Sequence, residues 1–293
     1  VDLSGGDEGH RQQLIDELRP LLERISIPSA AIRVDDDHPA AITGSFVGSH
    51  PYLPEGASWR QYHDLPMLFL IQINFAEVGP LPGFPTSGLL QWFIGANDHM
   101  LGFTTGASKG LEGFDVRRYP DTSAAPIEGP QAPTPWHRLR DEDNLLTPLS
   151  TSDARRLNFQ VGRALPQLAE FTLDGDLEQL VMDLARLGGA PSDDPGVLAG
   201  NGWIDLLGRE SPFRDDFVQG SSLGGSAYVT HEDPRGNSPN FPPIGDPAGQ
   251  VLITLDQDIA PDWGVQGIAH LFGDPAAVAR GDLSSVRYYW DCT

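Results

Sequence analysis

The chain has 293 residues, with 41 Asp and Glu against 19 Lys and Arg, for a formal net charge of −22. Such a field repels a nucleic-acid backbone or an anionic membrane; it draws in a basic protein, or serves only solubility or a salt-tolerant host. With 39% hydrophobic residues, 33 Gly and 26 Pro, the composition predicts a globular fold of frequent turns and short strands. No apolar run approaches the roughly 20 residues of a membrane-spanning helix. The single Cys292 excludes an internal disulfide and a Cys-rich zinc site. The opening Val1-Asp2-Leu3-Ser4 lacks the basic stretch and apolar core of a signal peptide, so a cytoplasmic setting is expected.

In chain order, Leu14, Leu18, Leu21, Leu22 and Ile25 recur at helical spacing and predict an amphipathic helix over residues 10–26. Short strands are expected over 30–34 and 40–47, divided by the Asp35-Asp36-Asp37 turn. The Phe, Ile, Leu and Trp content of 65–75 and 89–94 marks the two strongest strands. Pro126, Pro130, Pro133 and Pro135 predict a long surface connection over about 120–150. Two helices then follow, one capped by Ser152 or Asp153 and running to Leu168, the other capped by Asp176 and stopping at Gly188-Gly189. Residues 189–202 and 233–249 read as loops, the second as a mobile flap.

A search for internal similarity matches three blocks in the same order. Gly48-Ser49-His50-Pro51-Tyr52-Leu53-Pro54 parallels Gly224-Gly225-Ser226-Ala227-Tyr228-Val229-Thr230. Ile71-Gln72-Ile73-Asn74 parallels Ile253-Thr254-Leu255-Asp256, and Gly88-Leu89-Leu90-Gln91-Trp92-Phe93 parallels Gly267-Ile268-Ala269-His270-Leu271-Phe272. The expected fold is therefore α+β: one β-rich duplicated domain over 1–293 with two related antiparallel β units, at about 40–100 and 220–292. An N-terminal helix precedes them and a central helical pair, within about 120–190, lies between. Each unit would bury one apolar sheet face.

These blocks also resemble the YwqG-like family, a bacterial family whose domain is of unknown function. The resemblance is carried by Gly48-Ser49-His50-Pro51-Tyr52-Leu53-Pro54, by residues 65–77 and 88–93, and by Leu223-Gly224-Gly225 and Glu232-Asp233-Pro234-Arg235. Asp262-Trp263-Gly264 and the ending Tyr288-Tyr289-Trp290-Asp291-Cys292 complete it. It spans residues 45–292 and implies an α+β fold. It departs at Ser49, where the family usually has a second Gly, and at Ala227, where it usually has Pro. By analogy, the acidic character and bacterial setting also resemble immunity proteins that neutralise toxins.

Candidate chemistry is sparse. His231-Glu232-Asp233-Pro234-Arg235 places an imidazole, two carboxylates and a guanidinium at one turn, suited to acid–base work or anion clamping, or to a structural Asp–Arg pair. Asp256, Asp258 and Asp262 could meet a hard cation but lack EF-hand spacing, and a solvated loop mouth accounts for them more simply. Gln72 and Asn74 share one face of an apolar strand, where their amides must bond to backbone or to a ligand. No Gly-x-Ser-x-Gly, P-loop or dinucleotide fingerprint occurs. The sequence thus points to a non-catalytic module that engages a basic protein partner through an acidic surface, an immunity-type inhibitor by analogy. It calls for no cofactor and no metal. The alternative is an enzyme or small-ligand binder with a pocket at the seam between the repeats, lined by Gln72, Asn74, His231, Asp233, Arg235 and Asp256.

Overall fold

A computed structural model describes residues 6–95, 100–127, 149, 153–173, 175–187, 192, 194–207 and 211–293. Helix α1 (Gly6–Ile25) is followed by β1 (Ile27–Asp35), β2 (Phe46–Val47), the small hairpin β3 (Gln61–Tyr62) and β4 (Leu65–Pro66), then β5 (Leu68–Asn74), β6 (Leu89–Ile94) and β7 (Phe114–Tyr119). The second half has β8 (Arg155–Ala164), helices α2 (Gly175–Leu187) and α3 (Pro195–Leu207), β9 (Ser222–Gly224), the short α4 (Pro234–Asn237), β10 (Val251–Leu255), β11 (Ile268–Phe272), α5 (Pro275–Ala279) and β12 (Arg287–Asp291). Among these helices none is long and apolar enough to cross a membrane. Most of the expected 120–150 connection lies outside the described residues.

Ten strands make one antiparallel sheet in the order β12-β11-β10-β9-β1-β8-β2-β5-β6-β7. It curls until its edges approach each other across residues 100–113. The Tyr288 amide donates to the Gly110 carbonyl at 3.3 Å, the Tyr288 hydroxyl to Leu101 O at 3.1 Å and the Trp290 indole to Met100 O at 2.7 Å. The Tyr288 ring meets Trp92 and Phe114 at 5.6 and 5.8 Å. The inner face of this near-barrel is the main core, formed by alternate residues such as Ile71, Ile73, Trp92, Ile253, Leu271 and Tyr288. Trp92, Trp263 and Trp290 all join it, as packing residues.

The order reads alike from both edges, and the register follows it. Ile71 pairs with Trp92 and Gln72 with Gln91, as Ile253 pairs with Leu271 and Thr254 with His270. A ladder irregularity falls at Leu70 in β5 and at Leu252 in β10. β2 leads into Gly48 (φ 75°) and Ser49 (φ 59°), and β9 into Gly224 (φ 65°) and Gly225 (φ 79°). β1 and β8 cross over: β1 pairs with β9 of the second half, and β8 with β2 of the first. Val47 faces Arg155 as Leu223 faces Ala30, and the same shift carries Arg33 onto Asn158, its own pairing partner. A local two-fold axis therefore runs through the middle of the sheet.

Two expectations are corrected. Residues 155–164 form a strand, because Leu157, Phe159 and Val161 alternate with Arg156, Asn158 and Gln160 at period two. The second helix of the central pair lies instead at 195–207, beginning inside the 189–202 stretch expected to be loop and running past its end. Its glycines lower helix propensity, but Gly202 lets α3 close on α2, where a Cβ would sit 2.5 Å from Val181 O. Asp194 caps it by accepting from the Val197 amide at 3.0 Å. Buried Ile15, Leu18 and Leu22 of α1 pack with Val181, Leu184 and Trp203 in a second core. The 233–249 segment is anchored: Phe241 is buried against Phe272 and Tyr289, and Asn240 donates to Ala107 O and Lys109 O.

Candidate functional site

Outward-facing side chains of β11 and β12 in the second half, His270, Phe272, Tyr289 and Asp291, lie under the 227–249 segment. Asp233 caps α4 by accepting from the Arg235 amide, with Pro234 at the first helical position. The Arg235 side chain, 3% exposed, runs inward and donates to Asp233 at 2.6 Å, Glu170 at 2.8 Å and Gly249 O at 3.0 Å, over the Phe272 ring at 5.0 Å. Glu170 reaches this point from the single helical turn after β8, where it also accepts from the Gln167 amide and the Ser226 hydroxyl.

The charges tune one another. Burial pushes the Arg235 guanidinium down, but Asp233 and Glu170 outweigh it and the net shift is upward. Burial pushes Asp233 up, yet Arg235 holds it below the usual carboxylate range. His270, wholly enclosed, is driven by burial to a pKa of about 4. Its Nε2 lies 2.5 Å from the Tyr228 carbonyl, which fixes the proton on Nε2 and leaves Nδ1 to accept from the Thr254 hydroxyl at 3.1 Å. Burial, then Asp291, raises the Tyr289 hydroxyl.

Asp291 closes the cluster. Its Oδ2 accepts from the Thr230 and His231 amides at 3.0 and 2.9 Å and from the Tyr289 hydroxyl at 3.1 Å. Its Oδ1 is buried without a hydrogen-bond partner. The site thus sets three largely buried carboxylates, Glu170, Asp233 and Asp291, against the one guanidinium of Arg235.

Of the residues singled out in the sequence, the structure joins Asp233 to Arg235 and brings His231 beside them through Asp291. The exposed His231 imidazole has Nδ1 3.8 Å from Asp291 Oδ2. Gln72 lies in the first half: its Oε1 accepts from the Tyr52 amide and Gln91, and its Nε2 donates to Ile42 O and Gly44 O. Asn74 donates to Thr43 O and caps the turn after β5. Asp256 directly follows β10, its amide donating to Ser221 Oγ and its Oδ1 accepting from the Gln257 amide. Asn74 and Asp256 hold matching places, since Ser45 Oγ takes the Asn74 amide as Ser221 Oγ takes that of Asp256. Asp258 accepts from Ser221 and lies 3.6 Å from Arg33. Among the described residues no group of three or more His, Cys, Asp and Glu side chains is arranged to hold a metal ion.

Sequence reasoning missed Glu170, His270, Tyr289 and Asp291 as members of the cluster. The available signals were Glu170 three residues after Gln167, a capping-box spacing, and the lone imidazole of His270 in an apolar strand. A family model described as a domain of unknown function (DUF1963) matches residues 45–292. No curated protein matches the chain.

Proposed function

Because the chain belongs to the family of the domain of unknown function DUF1963, whose match spans both halves of the sheet, we propose a role for the whole curled domain. It is a cytoplasmic, non-catalytic module that binds a basic protein through its acidic surface, in the manner of an immunity-type inhibitor. The observation that carries this reading is the net charge of −22, which steers a cationic partner and speeds its association. The engagement of Gln72, Asn74, Asp233 and Arg235 in bonds that hold loops to the sheet supports it. We also read the two halves as copies of one ancestral unit, on the matched registers and paired Ser45 and Ser221 contacts, and the chain as YwqG-like on its motif residues.

Affinity capture from host lysate with a salt gradient tests the proposal. A basic protein should be retained at low ionic strength and elute as salt rises. Retention of no basic partner at low salt would refute charge-steered binding.

A further inference from the structure

The two halves differ at the edges of the sheet. Leu89 pairs with Tyr119 as Ile268 pairs with Asp291, so β7 and β12 correspond residue by residue and Val116 stands where the second half has Tyr288. The Gly95 amide donates to Gly113 O at 2.7 Å, and bonded and non-bonded pairs alternate along an antiparallel ladder. Asp115, Arg117 and Tyr119 therefore turn their N–H and C=O groups to β6, and Phe114, Val116 and Arg118 turn theirs away from it. Tyr288 likewise turns its amide outward, where Gly110 O accepts it. No such cover lies on β7: among the described residues none bonds to the main chain of Phe114, Val116 or Arg118. Burial differs accordingly. Four of the five residues of β12 are buried, whereas five of the six residues of β7 are partly exposed.

An open strand edge is a template for another strand, and the sequence of this one fits a copy of itself. Turned antiparallel about Val116, two such edges set Val116 against Val116 and Phe114 against Arg118, so that all three outward-facing residues exchange both main-chain bonds. The same register sets Asp115 opposite Arg117 on the outer face, unlike charges instead of like. A basic segment has less to gain there, because β7, with one Asp and two Arg, is itself positive. We infer that β7 is the contact by which two copies of this chain associate, edge to edge across a two-fold axis. With a formal −22 on each copy, the association is weak at low salt and strengthens as screening rises, opposite to the capture of a basic partner.

Sedimentation equilibrium of the full chain at concentrations up to about 1 mM, with amide hydrogen exchange at both ends of that range, tests the contact. A monomer–dimer equilibrium is expected, tightening at least about threefold between about 0.05 M and about 0.5 M salt. In the dimer the amides of Phe114, Val116 and Arg118 should gain protection, while those of Asp115, Arg117 and Tyr119, already turned to β6, should not change. Val116→Pro removes an amide that no described residue accepts. With its melting temperature checked against wild type, it should weaken dimerisation at least about tenfold. A monomer at every concentration and salt overturns the inference, as does a dimer that forms without the alternating protection. Protection of the same amides by an added polybasic peptide, without self-association, would place a foreign strand on the edge and overturn the assignment to a second copy. None of these results depends on whether a basic protein is captured from lysate.

Discussion

Arg235 is the residue on which the second outer face depends most. Removing it leaves Glu170 and Asp233 buried without a counter-charge and strips the cover from Phe272, so Arg235→Ala should lose about 3–5 kcal/mol in urea denaturation. His270 sets a pH window. Its pKa in the fold, about 4, lies below the 6.5 of the unfolded chain, so the unfolded state binds the extra proton. Stability is full above pH 6.5 and declines as pH falls through 6.5 towards 4, by about 3 kcal/mol in all. Gln91 performs the same carbonyl capture in the other half without titrating. His270→Gln should therefore keep stability at pH 7 within about 1 kcal/mol and flatten that part of the pH profile. Asp233, held low by Arg235, contributes in a separate and more acidic window, its share being lost only as pH falls below about 4. At this scale the sequence disclosed the Asp233–Arg235 pair because the two are neighbours along the chain. The other members of the cluster, Glu170, His270 and Asp291, come from three other elements, and no local spacing announces them.

Two backbone features govern how elements meet. Gly202 sits where α3 crosses α2, so Gly202→Ala should force the helices apart and cost about 1–3 kcal/mol, read as an earlier midpoint in chemical denaturation. The paired left-handed residues after β2 and β9 offer an internal comparison. Ser49 occupies a conformation that L residues adopt at a cost, and Ser49→Gly should gain a few tenths to about 1 kcal/mol by thermal melting. Gly225→Ala should do the opposite, because its Cβ would lie 2.9 Å from Ser29 Oγ at a φ of 79°. The strands at 68–74 and 89–94 were legible because apolar runs bounded by Pro and Gly leave few alternatives. The helix at 195–207 was not, since three glycines and a proline argue against it, and only its packing on Val181, Ala185 and the second core overrides that local preference. The strand at 155–164 has a period-two pattern that a capping residue upstream obscured.

At the scale of the molecule, the matched blocks in the sequence fall on matched registers of the sheet, while the exchange of β1 and β8 between halves left no trace in those blocks. Pairing across the axis is a tertiary choice, and the sheet centre consists of two strands that resemble each other weakly. The family match begins at residue 45, yet β1 joins β9 to β8. A chain beginning at Ser45 should therefore lose its single cooperative transition in circular dichroism melts, and adding a peptide of residues 27–35 should restore part of it. A broad loss that the peptide does not reverse would place the importance of this region in α1 instead. The exchange also has a consequence for how the molecule is made. Ala31 pairs with Ser222, so β1 leaves the ribosome long before either neighbour exists. At roughly 5–20 residues per second, the partner Gln160 in β8 follows Ala31 by 129 positions and about 6–26 seconds, and Ser222 follows it by 191 positions and about 10–40 seconds. Until β8 emerges this β-prone segment has two unsatisfied edges, and until β9 emerges it has one, so each edge must be shielded in turn.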